Sequence, residues 1–102
     1  MLIHLRGRST MLSIIIPCYN CEKTVINCYE SVIKSIKHSS IENYEIIFIN
    51  DGSSDKTGDF LLEISISNPS VVILNQENNG VSTARNEGLK IVKGDWISFI
   101  DS

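Results

Sequence analysis

Apolar residues fall into four short runs, separated by stretches in which apolar positions recur at helical spacing. Leu12-Ser13-Ile14-Ile15-Ile16, closed by Pro17, is the first; Tyr44-Glu45-Ile46-Ile47-Phe48-Ile49, Val71-Val72-Ile73-Leu74 and Trp96-Ile97-Ser98-Phe99-Ile100 follow. Runs this short and this rich in β-branched residues predict strands buried on both faces. After the first, Val25, Cys28, Tyr29, Val32, Ile33 and Ile36 make one helical stripe. Asn20 is placed to cap that helix, Glu22 suits its positive end, and Lys34, Lys37 and His38 suit its negative end.

A second helix is predicted over residues 55–66, with Asp55 as its cap and Thr57, Phe60, Leu61 and Ile64 turned inward; Gly58 interrupts its pattern. Gly80 opens a third, which carries Val81, Ala84, Gly88, Ile91 and Val92 and ends at Gly94. Strands alternating with helices require crossover connections, and those place helices on both faces of a parallel sheet. The expected fold class is therefore α/β: a doubly wound, Rossmann-like sheet of four mainly parallel strands.

The chain has 102 residues, enough for one small domain with a core. Its net charge is −3 and its Lys and Arg residues are scattered, which argues against a nucleic-acid partner bound through bulk charge. Residues 1–10 are basic but lack an apolar run; they are expected to be a flexible amino-terminal arm ahead of a domain over 11–102. With no apolar segment of signal-peptide or membrane-span length, the expected location is cytoplasmic. Cys18 and Cys21 stand in C-x-x-C spacing, and Cys28 follows. A redox pair, a zinc site completed by His4 or His38, and reduced cysteines packed as small apolar residues all fit that spacing; the last suits a reducing compartment best.

Sheets of this class bind ligands beyond the carboxyl ends of their strands, near the point where strand order reverses. The chemically distinctive residues lie there: Pro17-Cys18-Tyr19-Asn20, Asn50-Asp51-Gly52, residues 75–80, and Asp101. A carboxylate where a buried strand stops, followed by a Gly turn and a Ser/Asp helix start, suits a hydrogen-bonding ligand such as a nucleotide. Turn chemistry alone also favours Asn, Asp and Gly at such places.

Four blocks in order, Leu12-Ser13-Ile14-Ile15-Ile16-Pro17-Cys18-Tyr19-Asn20, Ile49-Asn50-Asp51-Gly52-Ser53-Ser54-Asp55, Asn79-Gly80-Val81-Ser82-Thr83-Ala84-Arg85-Asn86 and Ile100-Asp101, resemble the nucleotide-binding half of family 2 glycosyltransferases. The resemblance covers residues 12–102. It implies a GT-A fold, a nucleotide-diphosphate sugar donor, commonly UDP-linked, and inversion at the anomeric carbon by direct displacement. It also implies a divalent cation, Mn or Mg, on the diphosphate, and a glycan or lipid-linked acceptor in polysaccharide biosynthesis, with a peripheral position at the inner membrane face as one variant of the location. By matching position, Pro17 and Tyr19 shape the nucleoside pocket, with Asn20 beside them; Asp51 hydrogen-bonds the base; Arg85 lies near base and phosphates; Asp101 begins the D-x-D element. Plain alternatives stand beside these roles. Tyr19 can cover the first helix, Asp51 can form a turn, Arg85 can pair with a surface carboxylate, and Asn79 and Asn86 can serve turn and helix packing.

The sequence departs from the family pattern at Asp101-Ser102, where it stops inside the D-x-D element. The expectation is an incomplete domain with no catalytic base before residue 102 and only partial metal ligation by Asp101, since a divalent ion takes about six oxygens. This chain alone is then expected to be inactive, and the alternative reading is a truncated, catalytically inactive nucleotide-binding module. A flavodoxin-like receiver also has acidic strand ends but fits the second and third blocks poorly. An incomplete sheet further predicts self-association through the exposed edge of the fourth strand, near Trp96, Ile97, Phe99 and Ile100.

Overall fold

The computed structural model describes residues 2–4 and 11–102. In chain order its elements are β1 (Leu2–His4), β2 (Leu12–Cys18), α1 (Val25–Lys37), β3 (Tyr44–Asp51), α2 (Thr57–Ser67), β4 (Val71–Gln76), α3 (Val81–Leu89) and β5 (Trp96–Phe99). The sheet order is β1-β5-β2-β3-β4, with β5, β2, β3 and β4 mutually parallel and β1 antiparallel to β5. The chain runs outward from β2 through β3 to β4, then crosses back to lay β5 on the other side of β2. That reversal puts the switch point between β2 and β5, beside the carboxyl end of β2.

Alternation along the strands divides the core into two layers. Ile14, Ile16, Ile46 and Phe48 face α1 and α2, meeting Val25, Val32, Ile36, Leu61 and Ile64. Ile15, Ile47, Ile49 and Ile97 face the opposite way and pack around Ala84 of α3. The doubly wound α/β arrangement is the one expected from the strand–helix alternation. With both faces apolar, hydrophobicity alone does not set strand register, because a slip by one residue exchanges one apolar set for another. A buried polar pair does set it: Ser13 lies opposite Glu45, and its hydroxyl donates to Glu45 Oε2 over 2.6 Å.

Several boundaries differ from the sequence reading. Pro17 does not close β2; the strand continues to Cys18. The carbonyl of Ile15 accepts from Ile100 N–H, so Ile15 and Pro17 direct their backbone groups towards β5, whose pairing ends at Phe99 opposite Ile15. The donor that Pro17 lacks therefore has no strand partner to serve there. Helix α3 stops at Leu89, although Ile91 and Val92 still pack into the second layer from the connection that follows.

Within the span predicted as an amino-terminal arm, Leu2–His4 forms a strand paired with Trp96, Ile97 and Ser98, because β5 offers it a free row of backbone groups. The same pairing covers the β5 edge through which self-association was expected. The remainder of the predicted arm, and the side chain of His4, lie outside the described residues.

Candidate functional site

At the carboxyl ends of β2, β3 and β5 lies a cleft of about 350 Å³, lined by Pro17, Cys18, Tyr19, Asp51, Asn78, Gly80, Val81, Asp101 and Ser102. Its size falls at the lower end of the ~300–1,000 Å³ typical of small-molecule sites. Four of the six residues singled out from sequence, Pro17, Tyr19, Asp51 and Asp101, share it. Asp51 and Asp101 come together because β3, which ends at Asp51, and β5, which Asp101 follows, flank β2.

Asp51 is 4% exposed and anchors the loop between β4 and α3. Its Oδ1 accepts from Gln76 Nε2 and from the backbone N–H of Asn79, both at 2.8 Å, and its Oδ2 accepts from Gly80 N–H at 3.0 Å. Burial pushes this carboxyl up, yet the three hydrogen bonds together outweigh burial and hold it below its ordinary value. Three of about four lone-pair positions are filled, which leaves an acceptor on Oδ2. Gly52 and Gly80 permit this close loop packing: both have positive φ, +71° and +95°, and a Cβ on Gly52 would lie 2.7 Å from the backbone nitrogen of Asn78.

The cleft's outer wall is apolar and open. Tyr19 is 51% exposed and Val81 is 49% exposed, so a planar ligand can lie against both without rearrangement of the core. At the far side the Arg85 guanidinium donates to Asp101 Oδ1 over 3.1 Å. The Asp101 side chain is 86% exposed, so this pair is well solvated and readily exchanged. Arg85 is thus brought to the margin of the cleft by the acid, although it does not line it, and its Nε is buried without a hydrogen-bond partner.

Asn20 neither caps α1 nor lines the cleft. It adopts a left-handed conformation at φ 46°, donates its N–H to Ser53 Oγ, and accepts at Oδ1 from Ser54 N–H at 2.8 Å. Its work is to tie the β2–α1 turn to the β3–α2 loop. A reciprocal pair reinforces this tie: Glu22 N–H donates to Asp55 Oδ2, and Lys56 N–H donates to Glu22 Oε2. Asp55 also accepts from the N–H of Thr57, the first residue of α2, at 2.9 Å, but the N-cap position is Lys56 and not Asp55 as expected. Hydrogen bonds from Thr57 and Glu22 overcome the upward push of burial and lower the Asp55 carboxyl.

Gln76 and Asn78 fall in the 75–80 stretch that the sequence places at the strand ends but were given no role of their own, and Val81 and Ser102 were not assigned to the site. Ser102 lies beside β2 because its hydroxyl donates to the carbonyl of Pro17 over 2.7 Å. For a divalent cation the donor set is poor: among the described residues no three His, Cys, Asp or Glu side chains gather to hold one, and Asp101 is engaged by Arg85. No full set of metal-ligating side chains therefore gathers around Asp101 among the described residues. The same observation removes the zinc reading of the cysteines within the described residues.

The family model described as Glycosyl transferase family 2 matches residues 13–102. Glycosyltransferase GlyA of Streptococcus pneumoniae is 36% identical over 91 residues, covering 89% of this chain and 12% of that protein. Chondroitin synthase of Escherichia coli is 34% identical over 95 residues, covering 93% of this chain and 13% of the synthase. Among solved structures, TarS residues 1–349 of S. aureus in complex with UDP superposes with a TM-score of 0.77 at 27% identity, over 90% of this chain and 27% of that one. The mannosyltransferase PcManGT of Pyrobaculum calidifontis, in complex with GDP-Man and Mn2+, shares the fold with a TM-score of 0.72 at 19% identity, over 88% of this chain and 26% of that one. The chain thus spans roughly an eighth to a quarter of the length of these proteins. A parallel sheet with its switch point at the β2 carboxyl end, strand-end acids converging on one cleft, and a family match from Ser13 to Ser102 lead to one conclusion: this chain belongs to glycosyltransferase family 2 and carries the α/β sheet of its GT-A fold.

Proposed function

We propose that this chain is the donor-binding segment of an inverting glycosyltransferase, holding the nucleoside of a nucleotide-diphosphate sugar in the cleft at the carboxyl ends of β2 and β3. The convergence of Pro17, Tyr19, Asp51 and Asp101 from three separate strand ends carries this reading. The exposed Tyr19 ring offers a stacking surface for a base, and the remaining acceptor on Asp51 Oδ2 suits an imide-type N–H. Uracil, thymine and guanine present such a donor. Of these, uracil is favoured by the similarity to the UDP-bound TarS structure.

Arg85 supplies the positive charge for the diphosphate by leaving Asp101 for the phosphate oxygens, an exchange between two solvated partners of comparable strength. Asp101 is then released to accept from sugar hydroxyls. The divalent cation that serves enzymes of this family is not accommodated by the side chains present here, so binding by this chain draws on hydrogen bonds, stacking and Arg85. The acceptor in this reading is a glycan or lipid-linked chain in polysaccharide biosynthesis, in line with the similarity to chondroitin synthase, and the setting is the cytoplasm or its membrane face.

Titration calorimetry with UDP, GDP and TDP, each with and without Mn2+, tests the proposal. Heat is expected from UDP, with an affinity that Mn2+ leaves unchanged; Tyr19→Ala should weaken it and Asp51→Ala should abolish it while circular dichroism still reports a folded sheet. Silence towards all three nucleotides would overturn it in favour of an inactive module.

A further inference from the structure

What Asp51 can offer a ligand is decided by a neighbour outside the cleft. Asp51 and Gln76 stand opposite each other as the last pair of the parallel β3–β4 ladder, so their side chains leave the same face of the sheet. Gln76 lines a separate, smaller cavity of about 190 Å³ with Asn79 and Thr83, and its Nε2 donates to Asp51 Oδ1 over 2.8 Å. The direction of that amide is fixed by chemistry, because the reverse orientation would set its oxygen against a carboxylate oxygen. Its Oε1 is buried without a hydrogen-bond partner. A buried acceptor in that state opposes folding, so for the fold alone an apolar side chain would serve at least as well here. The bond to Asp51 is what the amide is placed to make.

That bond changes the shape of the acceptor. Oδ1 takes two donors, Gln76 Nε2 and Asn79 N–H, whereas Oδ2 takes one, Gly80 N–H. A carboxylate oxygen accepts about two hydrogen bonds, so Oδ1 is full and Oδ2 has one position open. Uracil and thymine present a single N–H flanked by two carbonyls, while guanine presents an N–H and an amino group side by side. One open acceptor satisfies the first edge and leaves the guanine amino group facing a filled oxygen.

We infer, resting on the donor site proposed above, that Gln76 is a positioning residue that sets base choice: by filling Oδ1 it limits Asp51 to one acceptor and selects a one-donor base, uracil or thymine, over guanine. It does so without touching the ligand, through the carboxylate alone. The same contact acts on the charge of that carboxylate. Against the upward push of burial, the bond from Gln76 contributes most among the three that hold the Asp51 carboxyl below its ordinary value.

Gln76→Met keeps the length of the side chain and removes the donor, which returns an acceptor to Oδ1. Calorimetry with UDP and GDP on the full chain reads the consequence: the ratio of UDP to GDP affinity should fall by about tenfold, the scale of one hydrogen bond to a charged group. Asn75→Ala is the control. It removes the neighbouring cross-strand bond from Asn50 Nδ2, 3.2 Å long, and leaves Asp51 untouched, so it should keep the wild-type ratio. A carboxyl NMR titration reads the contact independently of any nucleotide. Asp51 should titrate at a higher pH in Gln76→Met, with Cys18, Tyr19 and Asp101 of the same cleft common to both proteins. With UDP bound by the wild type, an unchanged ratio in Gln76→Met, no wild-type preference for UDP over GDP, or an equal drop in Asn75→Ala would each overturn the role in base choice and leave the donor site standing. A wild type silent towards both nucleotides would overturn the donor site and base choice with it. Identical titration of Asp51 in the two proteins would overturn its positioning by Gln76 in either case.

Discussion

Asp51 shows how a single residue serves structure and site together. It is a turn residue, as its Gly neighbour implied, but the turn it stabilises is the distant loop of residues 77–80 and not its own backbone. Its folded carboxyl is held below the ordinary value, so it contributes stability that is fully present above the unfolded value of about 4 and is lost as pH falls through the folded value. Asp51→Asn turns an amide donor towards N–H groups that need an acceptor, at a cost of about 1–3 kcal/mol at neutral pH. Urea unfolding of both proteins at pH 7 and pH 3 checks this. The gap between them should narrow in acid, as the pH drops below the unfolded value of about 4 and towards the folded one; an equal gap at both pH values would show that the ionised carboxylate is not what stabilises the loop.

At the scale of elements, the strands and helices were legible because β-branched runs and helical stripes report burial directly. The end of β2 was not: Pro17 signals termination only where its missing donor has a strand partner, and whether β5 reaches that far is a tertiary fact. Nor could a local pattern show that Asn20 would reach Ser53 and Ser54, since both are short polar side chains in turns. The most consequential hidden contact is at the other end of the sheet. Glu45, 5% exposed, accepts at Oε2 from Ser13 Oγ and Lys93 N–H, both at 2.6 Å, while Ser13 Oγ accepts from Gly94 N–H. This network pins β2 to β3 and fixes the entry into β5, which in turn delivers Asp101 to the cleft. Glu45→Ala orphans two donors and should cost about 2–3 kcal/mol in chemical denaturation, whereas Glu45→Gln keeps an acceptor and should cost less. Equal losses in the two variants would assign the effect to charge instead of to hydrogen bonding.

Across the whole molecule, one margin of the open sheet is formed by its shortest strand. The site half of the fold was foreseeable, since Asp51 and Asp101 had to meet if β3 and β5 flank the first long strand, and they do. The opposite margin was not, because three residues of ordinary composition carry no strand signal of their own and become a strand only against β5. Deleting residues 1–4 uncovers the backbone of Trp96, Ile97 and Ser98, and an unpaired edge of this kind is a template for another chain. Sedimentation velocity should then show a concentration-dependent dimer that is absent, or weaker, in the full chain. A second apolar surface needs separating from this effect: Leu62 and Ile66 of α2 are 59% and 77% exposed. Ile66→Lys in the deleted chain should leave the dimer intact if strand pairing drives it; loss of the dimer in that variant would move the interface to α2, and a monomeric deleted chain would show that β1 does not guard the edge.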